Sequence, residues 1–235
     1  MSISAFALLV FAALHTLAQP ANPDTFLDTT IAELQKDWPA NRTVNLVFHG
    51  HSVPAGYFKT PVVDSLEAYP HLVRAGLAQR FPHAVINVIV SAIGGENSQK
   101  GAARFQSDVL DHRPDVLFID YSLNDRGLGL DRAAEAWKQM IQQAQSRGIK
   151  VILLTPTPDL KSDLGNAEDP LEQQAAQVRR LAAEFNTGLI DSLELFRKAR
   201  DKEHMDELMS QRNHPNALGH ALVANSILTY FQPRP

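Results

Sequence analysis

The chain has 235 residues, 44% of them hydrophobic, which suffices for one domain that buries about 70% of its unfolded surface. It contains no cysteine, so disulfides, thiolate nucleophiles and cysteine-ligated metals are excluded. A formal net charge of -4 without a clustered basic stripe argues against a nucleic-acid partner.

In chain order, residues 5–14 form an apolar run too short to span a bilayer. Thr16-Leu17-Ala18 then places small residues three and one before a cut that leaves Gln19 first. Residues 1–18 are therefore expected to be a signal peptide, with no stable membrane span and a secreted or periplasmic destination. A lead-in over 19–43 precedes one domain over 44–235. Apolar strands are predicted at 44–48, 84–90, 116–121, 150–155 and 188–191. Amphipathic helices are predicted between and after them at 66–80, 98–112, 132–147, 170–186 and 217–231. Strands apolar on both faces and separated by helices imply a parallel sheet covered on both sides. The expected fold class is α/β, a three-layer, doubly wound, flavodoxin-like domain on a five-stranded parallel sheet. The loop-like stretch 156–169 follows the fourth strand and is expected to shape a pocket at the strand ends.

Four segments at strand ends or near the C-terminus carry chemistry. Gly50-His51-Ser52-Val53-Pro54-Ala55-Gly56-Tyr57 follows the first strand, where a glycine-flanked turn lifts a serine out of the sheet. Ile93-Gly94-Gly95-Glu96-Asn97-Ser98 follows the second, and its glycine pair lets a backbone N–H approach a ligand. Ser122-Leu123-Asn124-Asp125 follows the third, with an Asn amide suited to a developing oxyanion. Asn213-His214-Pro215-Asn216 precedes the last helix and supplies a histidine that can act as base near neutral pH. Taken singly, the second and third segments also read as an ordinary turn and a helix cap.

In order and chemistry the four segments resemble the SGNH (GDSL-type) hydrolases, most closely the bacterial thioesterase/lysophospholipase branch. That branch has Gly-Asp-Ser-Leu-Ser-Ala-Gly-Tyr where this chain has Gly50 to Tyr57, and Gly-x-Asn-Asp where it has Ser122 to Asp125. Its Ile-Ser-Gly-Asp-Thr-Ser-Gln-Gln-Gly is similar to Ile93-Gly94-Gly95-Glu96-Asn97-Ser98-Gln99-Lys100-Gly101. The resemblance implies Ser52 as nucleophile and His214 as general base. It also implies an oxyanion hole from the Ser52 and Gly95 N–H groups and the Asn124 side chain, with no cofactor and no metal. The expected substrate is a small acyl ester or O-acylated carbohydrate.

Three departures stand out: His51 replaces the motif Asp, Ser122 replaces a Gly, and Gln211 stands where the family's Asp-x-x-His motif has its acid. A Gln211 carbonyl accepting from the imidazole is one expectation, and a carboxylate from Asp201, Asp206 or Glu207 is another. A catalytically degraded glycan-binding module, or an acyltransferase with the same nucleophile, are alternative readings. So is a zinc site on His49 and His51 with His214 and His220. Tyr57, Phe58 and Pro61 are candidate walls of a small acyl pocket.

Overall fold

The computed structural model describes residues 18–201 and 203–234, so the expected signal peptide, except for Ala18, lies outside the described residues. Ten α-helices and seven strands are described, several of the helices only a turn long. The main sheet comprises β1 (Thr43–Gly50), β2 (Val85–Ala92), β3 (Val116–Asp120), β4 (Lys150–Leu154) and β5 (Gly188–Ile190). Every neighbouring pair is parallel, in the order β2-β1-β3-β4-β5. Chain order runs one way from β1 to β2 and the other way from β3 onward. The crevice at that reversal is where open α/β sheets bind ligands.

Alternation along each strand sends side chains into two cores. Leu46, Phe48, Phe118, Ile152 and Leu154 face one, together with α1 (Asp28–Leu34), α3 (Tyr69–Arg80), α9 (Ser192–Ala199) and α10 (Ala217–Leu228). Val47, Leu117, Ile119, Val151 and Leu153 face the other, under α4 (Ser98–Ala103), α5 (Phe105–Asp108) and α7 (Leu130–Gln145). Helix α8 (Pro170–Glu184) contributes Leu171 to the first core and Val178 to the second. The short helices α2 (Ser52–Ala55) and α6 (Ser122–Asp125) start the connections after β1 and β3. An antiparallel hairpin of β6 (Met209–Gln211) and β7 (His214–Pro215) precedes α10.

The predicted helix at 98–112 is three pieces, α4, α5 and a 3-10 turn at Leu110–His112, because Arg104 and Val109 leave helical geometry. Arg104 is held there by its bonds to Ser91, Glu96 and Tyr121. Helices α1 and α9 and the β6–β7 hairpin are absent from the sequence expectation. All three are short, and their stability comes from packing rather than from periodicity. Strand β2 is an edge strand with only partly covered side chains, unlike the fully buried β3.

Candidate active site

Strand β1 ends at Gly50, where a Cβ would come within 2.5 Å of the Asp120 carbonyl oxygen. Only glycine permits that approach of β1 to β3. His51 is extended and caps α2, its Nδ1 accepting from the Val53 N–H at 3.2 Å. Ser52 then opens α2 and is 6% exposed, and Gly56, at φ +88°, closes it. His51 Nε2 lies 3.3 Å from Asp120 Oδ1, and the Tyr69 hydroxyl donates to Asp120 Oδ2 at 3.0 Å. The acid missing before Ser52 thus has a counterpart at the end of β3. Histidine is accommodated at position 51 because Asp120 faces it.

The hairpin carries His214 to the serine, with Nε2 2.9 Å from Ser52 Oγ. His214 Nδ1 is 3.0 Å from the Phe58 carbonyl oxygen and 2.6 Å from Gln211 Nε2. Gln211 Oε1 accepts from the Thr60 N–H at 3.2 Å, so the Gln211 carbonyl is turned to the 58–63 loop and its amide nitrogen to the imidazole. Burial lowers the His214 pKa; the Phe58 carbonyl opposes that shift, and His51 adds to it. The other candidate acids are engaged elsewhere or bond to nothing at this site. Asp201 accepts from His204 at 2.7 Å, Glu207 pairs with Arg200 at 2.7 Å, and Asp206 makes no bond to His214.

Gly95, in the turn after β2, has φ +77° with no atom within 4 Å of a would-be Cβ. Its N–H has no acceptor among the described residues. Asn124, on α6, donates through Nδ2 to the Glu96 carbonyl at 2.9 Å, which fixes the plane of its amide. Since that nitrogen carries two hydrogens, one remains for a ligand. The 93–98 segment is held from below. Asp125 accepts from the Ser98 N–H at 2.8 Å and from Trp137 Nε1 at 2.7 Å. Arg104 Nε bonds both Glu96 oxygens at 3.0 Å, and the Tyr121 hydroxyl donates to Glu96 Oε2 at 2.9 Å. Sequence reasoning singled out none of Asp120, Tyr69, Arg104 and the Phe58 carbonyl. A backbone acceptor leaves no signal in residue identity.

The remaining candidates are dispersed. His49 Nε2 faces the Tyr121 hydroxyl at 3.1 Å, and burial pushes the His49 pKa down to about 4. His220 accepts from the Tyr69 N–H and packs tilted against the Phe58 ring, so the four histidines do not converge. Among the described residues no cluster of three or more His, Asp or Glu side chains is arranged to hold a metal. The Tyr57 ring sits 6.0 Å from the His214 ring and packs over Gly94, while Pro61 is exposed. Loop 156–169 does line a cavity, together with Asn124 and Arg212. Among the described residues no helix is long and apolar enough to cross a membrane.

Comparisons with known proteins identify the family and the fold. The sequence model of the GDSL-like Lipase/Acylhydrolase family matches residues 48–222. An acetylxylan esterase of Geobacillus stearothermophilus is 25% identical over 166 residues, 65% of this chain and 76% of that protein. The crystal structure of the acetylxylan esterase Axe2 from Geobacillus stearothermophilus superposes with a TM-score of 0.69 at 23% identity, covering 80% of this chain and 94% of that one. A two-domain esterase active on acetylated mannans gives a TM-score of 0.70 at 22% identity, over 91% of this chain and 54% of that one. The five-stranded parallel sheet is the one expected, and the chain belongs to the GDSL-like lipase/acylhydrolase (SGNH) family of ester-hydrolysing enzymes.

Proposed function

We propose that this protein is a secreted serine esterase that removes small acyl groups from O-acylated carbohydrates through an acyl-enzyme on Ser52. The observation that carries the mechanism is the line Ser52 Oγ, His214 Nε2, His214 Nδ1, Phe58 carbonyl, at 2.9 and 3.0 Å. Two groups compete for Nδ1. The Phe58 carbonyl requires a proton on it, whereas the Gln211 amide N–H requires a lone pair. A base toward Ser52 needs its lone pair on Nε2, hence its proton on Nδ1. That selects the Phe58 carbonyl as the orienting acceptor. With that proton in place Gln211 Nε2 cannot donate to Nδ1, so Gln211 acts through its carbonyl as a strut, holding the Thr60 N–H and keeping the 58–60 segment against the imidazole.

Ser52 Oγ attacks the ester carbon as His214 Nε2 takes its proton. The oxyanion lies among the Ser52 and Gly95 N–H groups and the free Asn124 N–H. Collapse breaks the bond to the sugar oxygen, which leaves with the proton from Nε2. Water then attacks the acyl-enzyme, giving its proton to Nε2, and Ser52 departs by recovering that proton. The intact serine–histidine contact favours turnover over a degraded binding module. The carbohydrate substrate is supported by the acetylxylan and acetylated-mannan esterases among the relatives. Secretion is supported by the apolar N-terminal run and the small residues after it.

The test is release of acetate from p-nitrophenyl acetate and acetylated xylo- and manno-oligosaccharides, with labelling by a fluorophosphonate. Ser52→Ala should abolish both while keeping the native thermal transition. Wild-type turnover in the alanine variant would refute the serine mechanism.

A further inference from the structure

Next to the proposed oxyanion hole lies a cavity of about 490 Å³ whose lining includes Asn124, Arg126, Lys161, Ser162, Asp169 and Arg212. It shares Asn124 with the ester site, and the Leu160 N–H donates to the Arg212 carbonyl at 2.8 Å, tying its wall to the hairpin that carries His214. The cavity therefore adjoins the ester site through Asn124 and the hairpin.

Its charge is organised by Asp159, which is fully buried. Arg212 donates to both Asp159 oxygens through Nε at 2.7 Å and Nη2 at 2.8 Å, and Arg126 Nη2 donates to Oδ2 at 3.0 Å. One carboxylate thus aligns two guanidinium groups and neutralises only one of them. Arg212 Nη1 is left without a partner among the described residues, and Arg126 Nη1 has only Ser162 Oγ, at 3.5 Å. Lys161 is exposed and its Nζ makes no ion pair or hydrogen bond among the described residues. The other acid, Asp169, has its oxygens turned to backbone, accepting from the Leu171 and Asp163 N–H groups at 2.8 Å each. Three cations therefore face two engaged carboxylates, with donors left over, on a chain whose net charge is -4. A rigid guanidinium beside a mobile ammonium and a hydroxyl is suited to an anionic oxygen group.

We propose that this cavity is a subsite for an anionic group on the glycan, a hexuronate carboxylate or a sulfate ester close to the O-acyl group being removed. This rests on the esterase reading above and specifies its substrate as an acidic acylated glycan. A charge-assisted contact of this kind corresponds to about a tenfold preference in kcat/KM for the acidic substrate.

The experiment measures acetate release by the wild-type protein from two matched pairs. One is an acetylated glucuronoxylan oligosaccharide and its carboxyl-reduced form; the other is an acetylated, sulfated oligosaccharide and its desulfated form. p-Nitrophenyl acetate reports the acyl chemistry alone. The expected result is a preference of about tenfold for the charged member of one pair, which identifies the anion, weakened in 0.5 M NaCl by screening. Lys161→Gln and Arg212→Gln should each reduce that ratio toward one. Equal rates on charged and neutral members of both pairs, with p-nitrophenyl acetate still hydrolysed, would overturn the subsite and leave the esterase reading standing. A preference that persists undiminished in both variants would also overturn it. No turnover of any ester by the wild type would overturn the esterase reading itself.

Discussion

Replacing Gln211 by Glu changes the electrostatics around His214 while keeping the shape of the side chain. One carboxylate oxygen retains the Thr60 N–H, and the other takes the place of Gln211 Nε2, 2.6 Å from His214 Nδ1. At an effective dielectric of about 20 and charge centres about 4 Å apart, a carboxylate attracts an imidazolium by about 4 kcal/mol. Gln211 is half-buried, so solvent reduces this to about 1.4–3 kcal/mol, or roughly one to two pKa units. The sign follows from which form is charged. An adjacent anion favours imidazolium, so the His214 pKa rises from a value that burial holds below the ordinary one. The reaction requires neutral His214, so the acidic limb of the kcat/KM profile should move to higher pH by about one to two units. At the plateau kcat should rise by up to about tenfold, because imidazolium develops in the transition state. The assay is a pH–rate profile with p-nitrophenyl acetate for wild type and Gln211→Glu. An unmoved limb and an unchanged plateau would show that this side chain does not address His214.

Other consequences are equally open to measurement. Asn124→Ala should lower kcat by about 10²–10³ with little change in KM, as for the loss of one oxyanion donor; unchanged kcat with a lower Tm would make Asn124 a structural cap. Turnover should survive EDTA and gain nothing from added zinc, and metal-reversible loss would return attention to His49 and His51. His49 and His220 are buried with pKa values of about 4, so the native state binds fewer protons than the unfolded chain between about pH 6.5 and pH 4. Their contribution to stability is complete above the unfolded value and is lost as pH falls through that window. The urea midpoint should therefore drop from pH 7 to pH 4.5, and His220→Gln should flatten the drop; a midpoint with the same pH slope in that variant would contradict the assignment.

The amino-acid sequence by itself determined the α/β class, the five parallel strands and the placement of Ser52, Gly95 and Asn124 at strand ends. Those features rest on local causes. Buried parallel strands must be continuously apolar, as in Val116 to Ile119, and a turn that leaves the sheet abruptly needs glycine, as at Gly50. The short elements escaped because seven or eight residues, as in α1 and α9, carry too little periodicity to distinguish a helix from a loop. Tertiary structure alone decided what surrounds His214. Its Nε2 meets the hydroxyl of Ser52, 162 residues away, and its Nδ1 meets the Phe58 backbone carbonyl, which any side chain at that position would present. The same holds for His51, which reads as a lost acid until β3 brings Asp120 to within 3.3 Å. Hydrogen bonds and ion pairs act over a few ångströms between groups far apart in the chain, so their partners are chosen by the packing of the sheet rather than by sequence spacing.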